Sequence, residues 1–257
     1  MTSLKIIILL ILSILLNKFS FSQNAVMVHE GEIQFEKRTN AYAILNKYYV
    51  GDGEDGSKFA EQYKNNNPQF KINKFVLLFN NGLSYYAPES DIGNASNPFM
   101  SAFAGSNSVY TDLRNRTFIA EKNVLGETYI INDSTRKIQW KITDEIKNIA
   151  GFSCRRANAV ILDSVYVVAF YTDQIVSKSG PESFIGLPGM ILGVVLPYEH
   201  ISWFATKVIL KQIQSTQLNI PKGKNKINNT ELMNILIKDS TDIIPHRKGL
   251  YYHNILL

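Results

Sequence analysis

Gly151-Phe-Ser-Cys-Arg-Arg-Ala-Asn-Ala-Val-Ile-Leu-Asp-Ser-Val-Tyr-Val-Val-Ala-Phe-Tyr171 is the stretch that decides the fold. Polar and apolar residues alternate along its first half, β-branched and aromatic residues crowd its second, and only Asp163-Ser164 separates Leu162 from Val165. Alternation at period two turns one face of a strand inward. So short a connection favours a tight antiparallel hairpin and excludes a parallel crossover. The same signals predict further strands over Val26–Lys37, Lys71–Phe79, Leu83–Tyr86, Ser108–Leu113, Thr117–Glu121, Thr128–Asn132, Lys137–Ile142, Met190–Leu196 and Ile201–Leu210. A chain of this kind is expected to be mainly β, a single curved antiparallel sheet in the form of a half-barrel or open barrel-like meander. One or two short peripheral helices are expected at Ser57–Asn66 and at Thr230–Lys238, which has Glu231 in its first turn. The stretch Ala87–Ser106 lacks periodicity and reads as an exposed excursion or lid. No repeat or linker interrupts residues 23–257, which read as one domain.

A second stretch, Ser179-Gly-Pro-Glu-Ser-Phe-Ile-Gly-Leu-Pro-Gly-Met-Ile-Leu192, fixes a backbone shape. Gly180-Pro181 and Pro188-Gly189 are turn dipeptides, with Phe184, Gly186 and Leu187 between them. In Leu187-Pro188-Gly189-Met190, proline sets φ at the second position and Gly189 is expected at positive φ, as in a type II turn. On that reading Gly189→Val costs roughly 1–3 kcal/mol. The glycines do not make a phosphate loop, because no Lys-Ser/Thr follows them and a strand comes next in place of a helix.

With Ile149-Ala-Gly-Phe-Ser-Cys-Arg-Arg-Ala157 and Ala169-Phe-Tyr-Thr-Asp-Gln-Ile175 preceding it, this signature resembles that of the GLPGLI family of exported Bacteroidetes proteins. Met190 stands where the family usually has leucine, and Phe170 where tryptophan is common; both keep the position apolar. The resemblance implies export and a β-rich fold and supplies no catalytic residue.

The N-terminus carries its own export signal. Lys5, the apolar run Ile6–Leu16 and the small-x-small site Ser20-Phe21-Ser22 read as a signal peptide over residues 1–22, with Gln23 as the new N-terminus. The apolar run falls short of the roughly 20 residues that span a bilayer. No cysteine near the cleavage site offers a lipoprotein acylation point, so the expected compartment is the periplasm, or the exterior. Without Lys5 and Lys18 the chain has 25 basic residues against 22 acidic, a mild excess. The basic cluster Lys222-Gly-Lys-Asn-Lys226 contains no aromatic residue, so it reads as a solvated loop and gives no sign of a nucleic-acid surface.

Cys154 is the only cysteine, which rules out an intrachain disulfide. Arg155-Arg156 beside it would favour a thiolate, but its place in an alternating strand favours a buried, inert thiol. His29, His200, His246 and His253 are scattered without ligand spacing, and no cofactor is implied. Gly105-Ser-Asn-Ser108 is not a nucleophile elbow. Asp173 and Glu182, flanking the signature, are the best carboxylate pair for acid–base work, and both are expected to be solvated. Ser134, Ser164 and Ser240 follow aspartates in turn-like sequence and read as O-glycosylation acceptors of the exported protein.

Aromatic residues make up 11% of the chain and often stand in adjacent pairs such as Tyr48-Tyr49, Tyr85-Tyr86, Phe170-Tyr171 and Trp203-Phe204. In a strand such a pair puts one ring on each face. The leading functional expectation is a non-enzymatic periplasmic protein that binds an apolar ligand or a segment of an envelope protein. The alternatives are an assembly factor pairing a sheet edge with an outer-membrane partner, and, behind it, a hydrolase.

Overall fold

Strand β1 (Glu30–Asn40) shows the logic of the molecule: Ile33, Phe35, Lys37 and Thr39 are buried while the residues between them are partly or fully exposed. This is the period of a strand with one covered face. The computed structural model describes residues 28–50, 53–89, 107–124, 127–239 and Leu256. Residues 1–22, positions 90–106 of the expected lid, Ser240, His246 and His253 lie outside the described residues.

A single open sheet of 12 strands runs through the described chain. On one side of β1 lies the meander β2 (Phe70–Asn80), β3 (Leu83–Pro88), β4 (Ser108–Asp112), β5 (Thr117–Val124) and β6 (Glu127–Ser134). On its other side come β11 (Ile201–Ile209), β10 (Met190–Leu196), β9 (Val165–Thr172), β8 (Phe152–Ile161) and β7 (Lys141–Ile149). The antiparallel pairing of β1 with β11 joins the two meanders, with a register shift between Gln34 and Phe35. The two-residue β12 (Lys226–Ile227) adds to β6 in parallel, so β12 and β7 are the edges.

Helices α1 (Ala41–Tyr48) and α2 (Gly53–Asn66) fill the connection from β1 to β2 and pack on each other through Ile44, Leu45, Tyr48, Ala60 and Tyr63. Helix α3 (Asn229–Asp239) sets Leu232 and Leu236 against Val109, Phe118, Ala120 and Ile131. Helix α1 has no counterpart in the sequence reading. Asn40 starts it by accepting a hydrogen bond from the Ala43 amide at 3.1 Å, the N-cap that a short helix needs. Tyr48 is therefore a helix residue and Tyr49 its C-cap, not the two faces of a strand.

Two further corrections concern connections. Ile161 pairs with Val165, so the hairpin loop is Leu162-Asp163-Ser164, one residue longer than expected, with Leu162 and Asp163 at positive φ (47° and 62°). Residues 137–140 are not strand; β7 begins at Lys141. Trp140 instead donates its indole N–H to Ile185 O at 2.9 Å and so pins the signature loop.

That loop, residues 173–189, lies on the covered face. Phe184 is fully buried and meets Trp203 of β11 edge-on at 5.9 Å; burying such a ring stabilises the fold by about 1.5–3 kcal/mol. Ser179 Oγ and Ser84 Oγ of β3 share a buried hydrogen bond of 2.7 Å. Ile175 bridges Val28 in parallel, and Val176 N–H donates to Val28 O at 3.0 Å. The inner face is thus occupied by the protein's own chain. Gly189 is not at positive φ; Gly186 is, at 93°. Gly189 is required for space, since a Cβ there would lie 2.0 Å from Thr172 O. Gly180 is constrained in the same way, its Cβ falling 2.7 Å from Phe184 O.

Candidate functional site

Beneath the signature loop, strand alternation turns two lysines inward and the loop itself adds a carboxylate. Lys37 is in phase with Ile33 and Phe35, Lys122 with Phe118 and Ala120, and Glu182 reaches in from the loop at φ 53°. Their residues are 5%, 5% and 2% exposed, so all three are held away from water. Glu182 Oε2 accepts from Asn107 Nδ2 at 3.1 Å, and Oε1 lies 4.0 Å from Lys37 Nζ with no hydrogen-bond partner among the described residues. Lys37 also sits 5.1 Å from the centroid of the Trp203 ring, opposite it in the β1–β11 register. Glu182 is thus not the solvated loop carboxylate expected from sequence, whereas Asp173 is exposed. The two form no acid–base pair in a shared environment.

Burial lowers the Lys37 ammonium from its usual range, against the pull of Glu182, and Lys71 adds to the lowering. Lys122 is brought down to about 8, by burial first, with Glu182 opposing and Arg136 and Lys37 reinforcing. Burial pushes the Cys154 thiol up to about 12 and, helped by Glu182, the Tyr86 hydroxyl well above its ordinary value.

These shifts fix a pH dependence. A lysine whose folded pKa is depressed holds fewer protons folded than unfolded between about 8 and 10.5, so Lys122 makes stability rise with pH across that window. Cys154 and Tyr86 hold more protons folded than unfolded at high pH and make stability fall above about 9 to 10. Urea unfolding is expected to show a stability maximum near pH 9, about 1 kcal/mol above the value at pH 7.5. A maximum below pH 7.5 would contradict the buried ammonium at Lys122.

The other side of the signature loop faces solvent. Val176, Ser177, Lys178, Ile185 and Gly186 form one wall of an open cleft of about 1150 Å³. Arg114, Arg116, Arg136, Lys137 and Lys178 line it, with Asp133 as the single carboxylate among the described residues. Asp133 is already engaged, its Oδ2 accepting from Asn229 N–H at 3.0 Å and its Oδ1 from Ser134 N–H. Next to the cleft is a cavity of about 20 Å³ reached past Thr135, Arg136, Ile185 and Asn229, which line both.

The sequence-selected residues divide clearly. Gly180, Pro181, Phe184, Leu187 and Gly189 are buried and build the loop; Gly186 and Pro188 are exposed. Ser134 and Ser164 are exposed at a strand end and in a hairpin turn, where a hydroxyl can be modified. Cys154 is buried and free. Among the described residues no group of three or more His, Cys, Asp or Glu is placed to hold a metal ion, and no helix is long and apolar enough to cross a membrane. Sequence reading passed over Lys37 and Lys122, although each stands in phase with the apolar residues of its strand.

Residues 159–193 match a family described as a protein of unknown function, Porph_ging. The match is short, but it spans β9, the whole signature loop and the start of β10, and it points to a Bacteroidetes-type family. The fold is similar to that of two solved structures of PNGF-II, in space groups P21 and C2, with TM-scores of 0.52 and 0.51. Each is 14% identical, and the alignments cover 82% and 81% of this chain and 33% of the PNGF-II chains. The chain thus spans about a third of the length of those structures, and at this identity the likeness is one of fold alone. No curated protein matches the sequence.

Proposed function

We propose that this is an exported, non-enzymatic protein of the cell envelope, of GLPGLI type, that binds an acidic protein segment in the cationic cleft. The observation that carries this reading is the wall of the cleft: the loop that gives the chain its signature is buried on one side and lines the cleft on the other. Five basic side chains facing one engaged carboxylate favour an acidic partner and speed its encounter. An apolar ligand has less support, because Phe184, Leu187 and Ile175 already occupy the inner face. Edge pairing has less support too. Lys141, Asp144, Glu145 and Lys147 charge β7, its register breaks between Ile142 and Ile146, and β12 is two residues long; such features blunt an edge.

Export through residues 1–22 and glycosylation at Ser134, Ser164 or Ser240 belong to the same reading. Ser134 lines the cleft, so a glycan there would compete with the segment, whereas one on Ser164 would not.

Native mass spectrometry of the mature protein, purified from its own envelope without detergent, tests the reading. The expected result is a chain beginning at Gln23 with a co-purifying polypeptide that Arg114→Glu/Arg116→Glu abolishes. An adduct that extracts into organic solvent would replace this reading with an apolar carrier, and a bare chain would remove the binding role.

A further inference from the structure

The small cavity beside the cleft has a composition that the cleft as a whole does not. Apolar side chains, Val109, Phe118, Ala120, Ile185 and Leu256 among them, make up much of its wall. Its polar lining includes Thr111, Lys122, Thr135, Arg136 and Ser183. Thr111 is 4% and Lys122 5% exposed, so these groups are built into the protein and are not free surface chains.

Arg136 stands where cavity and cleft meet. Its Nη2 donates to Leu256 O at 2.8 Å, while its Nη1 is buried with no hydrogen-bond partner among the described residues. A guanidinium presents a planar fork, and a buried arm of that fork left unmatched calls for an acceptor. Charge points the same way. Lys122 feels one buried carboxylate, Glu182, against two other cations, Lys37 and Arg136, so positive charge is in excess around it.

We infer that the cavity is an anchoring subsite for one carboxylate side chain, of glutamate length, belonging to the segment that the cleft takes. The inference rests on the cleft reading above and adds a specific point of attachment to it. The aliphatic stem of a glutamate would lie along the apolar wall and its carboxylate would accept from Arg136, a charge-assisted contact made away from bulk water. A cavity of about 20 Å³ has room for the end of one small polar group. Aspartate, one methylene shorter, would not reach as far from the cleft.

Fluorescence anisotropy of labelled hexaglutamate against the full mature protein reads this directly. The wild type is expected to bind hexaglutamate more tightly than hexaaspartate. Arg136→Met is expected to weaken hexaglutamate binding about tenfold, and Thr111→Val by several-fold, because each removes a donor from the cavity. Arg114→Gln, which changes only the open cleft, should weaken it about two- to threefold. Since Arg136 also holds Leu256, thermal melting accompanies that variant, and Thr111→Val, which spares that bond, carries the test if Arg136→Met unfolds. Equal weakening by Arg136→Met and Arg114→Gln overturns the subsite while leaving a diffusely cationic cleft. Failure of the wild type to bind hexaglutamate, or its preference for hexaaspartate, also overturns the subsite. The cleft reading is decided separately by the co-purifying polypeptide.

Discussion

Replacement of Gly189 by alanine is expected to destabilise the protein by about 3 kcal/mol or more, although alanine is the smallest side chain available. The reason is distance. A Cβ at this position would stand 2.0 Å from Thr172 O, 2.7 Å from Thr172 C and 3.0 Å from Asp173 Cα, all of them backbone atoms that cannot rotate aside. Relief requires the start of β10 to move away from the end of β9, where Met190 pairs with Thr172. Gly186→Ala is the informative control. Its φ of 93° is strained for an L residue, yet the nearest atom to a Cβ there is Trp140 Nε1 at 3.7 Å. That variant pays only for conformation, about 1–2 kcal/mol. Urea midpoints of the two variants therefore rank the two mechanisms, steric and conformational. If Gly189→Ala melts with the wild type, the loop and β9 do not approach as described. If Gly186→Ala is the worse of the two, positive φ is what the signature selects.

Gly189 also shows where sequence reading succeeds and where it stops. Proline before glycine identified a special backbone site, but the dipeptide has the same composition whether glycine supplies a positive φ or an absent Cβ. Only the neighbouring strand tells the two apart. The strands themselves were legible because period-two alternation is a local property: Met190–Leu196 appears with the expected bounds, and the ends of Phe152–Ile161 and Val165–Thr172 differ from expectation by a residue. Helix α1 was not legible, because Ala41–Tyr48 is short and its start depends on one hydrogen bond that the Asn40 side chain accepts from the Ala43 amide. The region 137–140 misled for the opposite reason: Trp140 looks like a strand residue but is taken up by Ile185 O, which is distant in sequence.

The site divides along the same line. Lys37 and Lys122 were available to sequence analysis as lysines in phase with inward residues. Nothing local announces that Glu182, in a loop more than 140 residues beyond Lys37, is the carboxylate that meets Lys37 and acts on Lys122 through the interior. The cationic cleft was hidden for a related cause. Arg114 and Arg116 lie between β4 and β5, Arg136 and Lys137 between β6 and β7, and Lys178 in the signature loop. A mild net charge spread along the chain gives no sign that the topology gathers these residues.

The buried carboxylate carries the second large effect. Glu182→Gln keeps the volume and a hydrogen-bonding end but removes the negative charge that acts on both Lys37 and Lys122. A pair of unit charges 4.0 Å apart interacts by about 4 kcal/mol at an effective dielectric constant near 20. Removing one partner of a buried pair typically costs about 3–5 kcal/mol. The lysines limit the loss by giving up protons, and Lys122, already brought down to about 8, gives one up readily. The destabilisation is therefore expected to be about 3 kcal/mol at pH 6.5, where neutralising both lysines is most costly, and smaller at pH 9.5. Urea unfolding at the two pH values measures both terms. Adding Lys37→Met to Glu182→Gln removes the cation left facing the lost carboxylate, so the double variant should be more stable than Glu182→Gln alone. An equal loss at both pH values, with no recovery in the double variant, would mean that the hydrogen bond from Asn107 Nδ2, and not charge, is what Glu182 contributes beneath the loop.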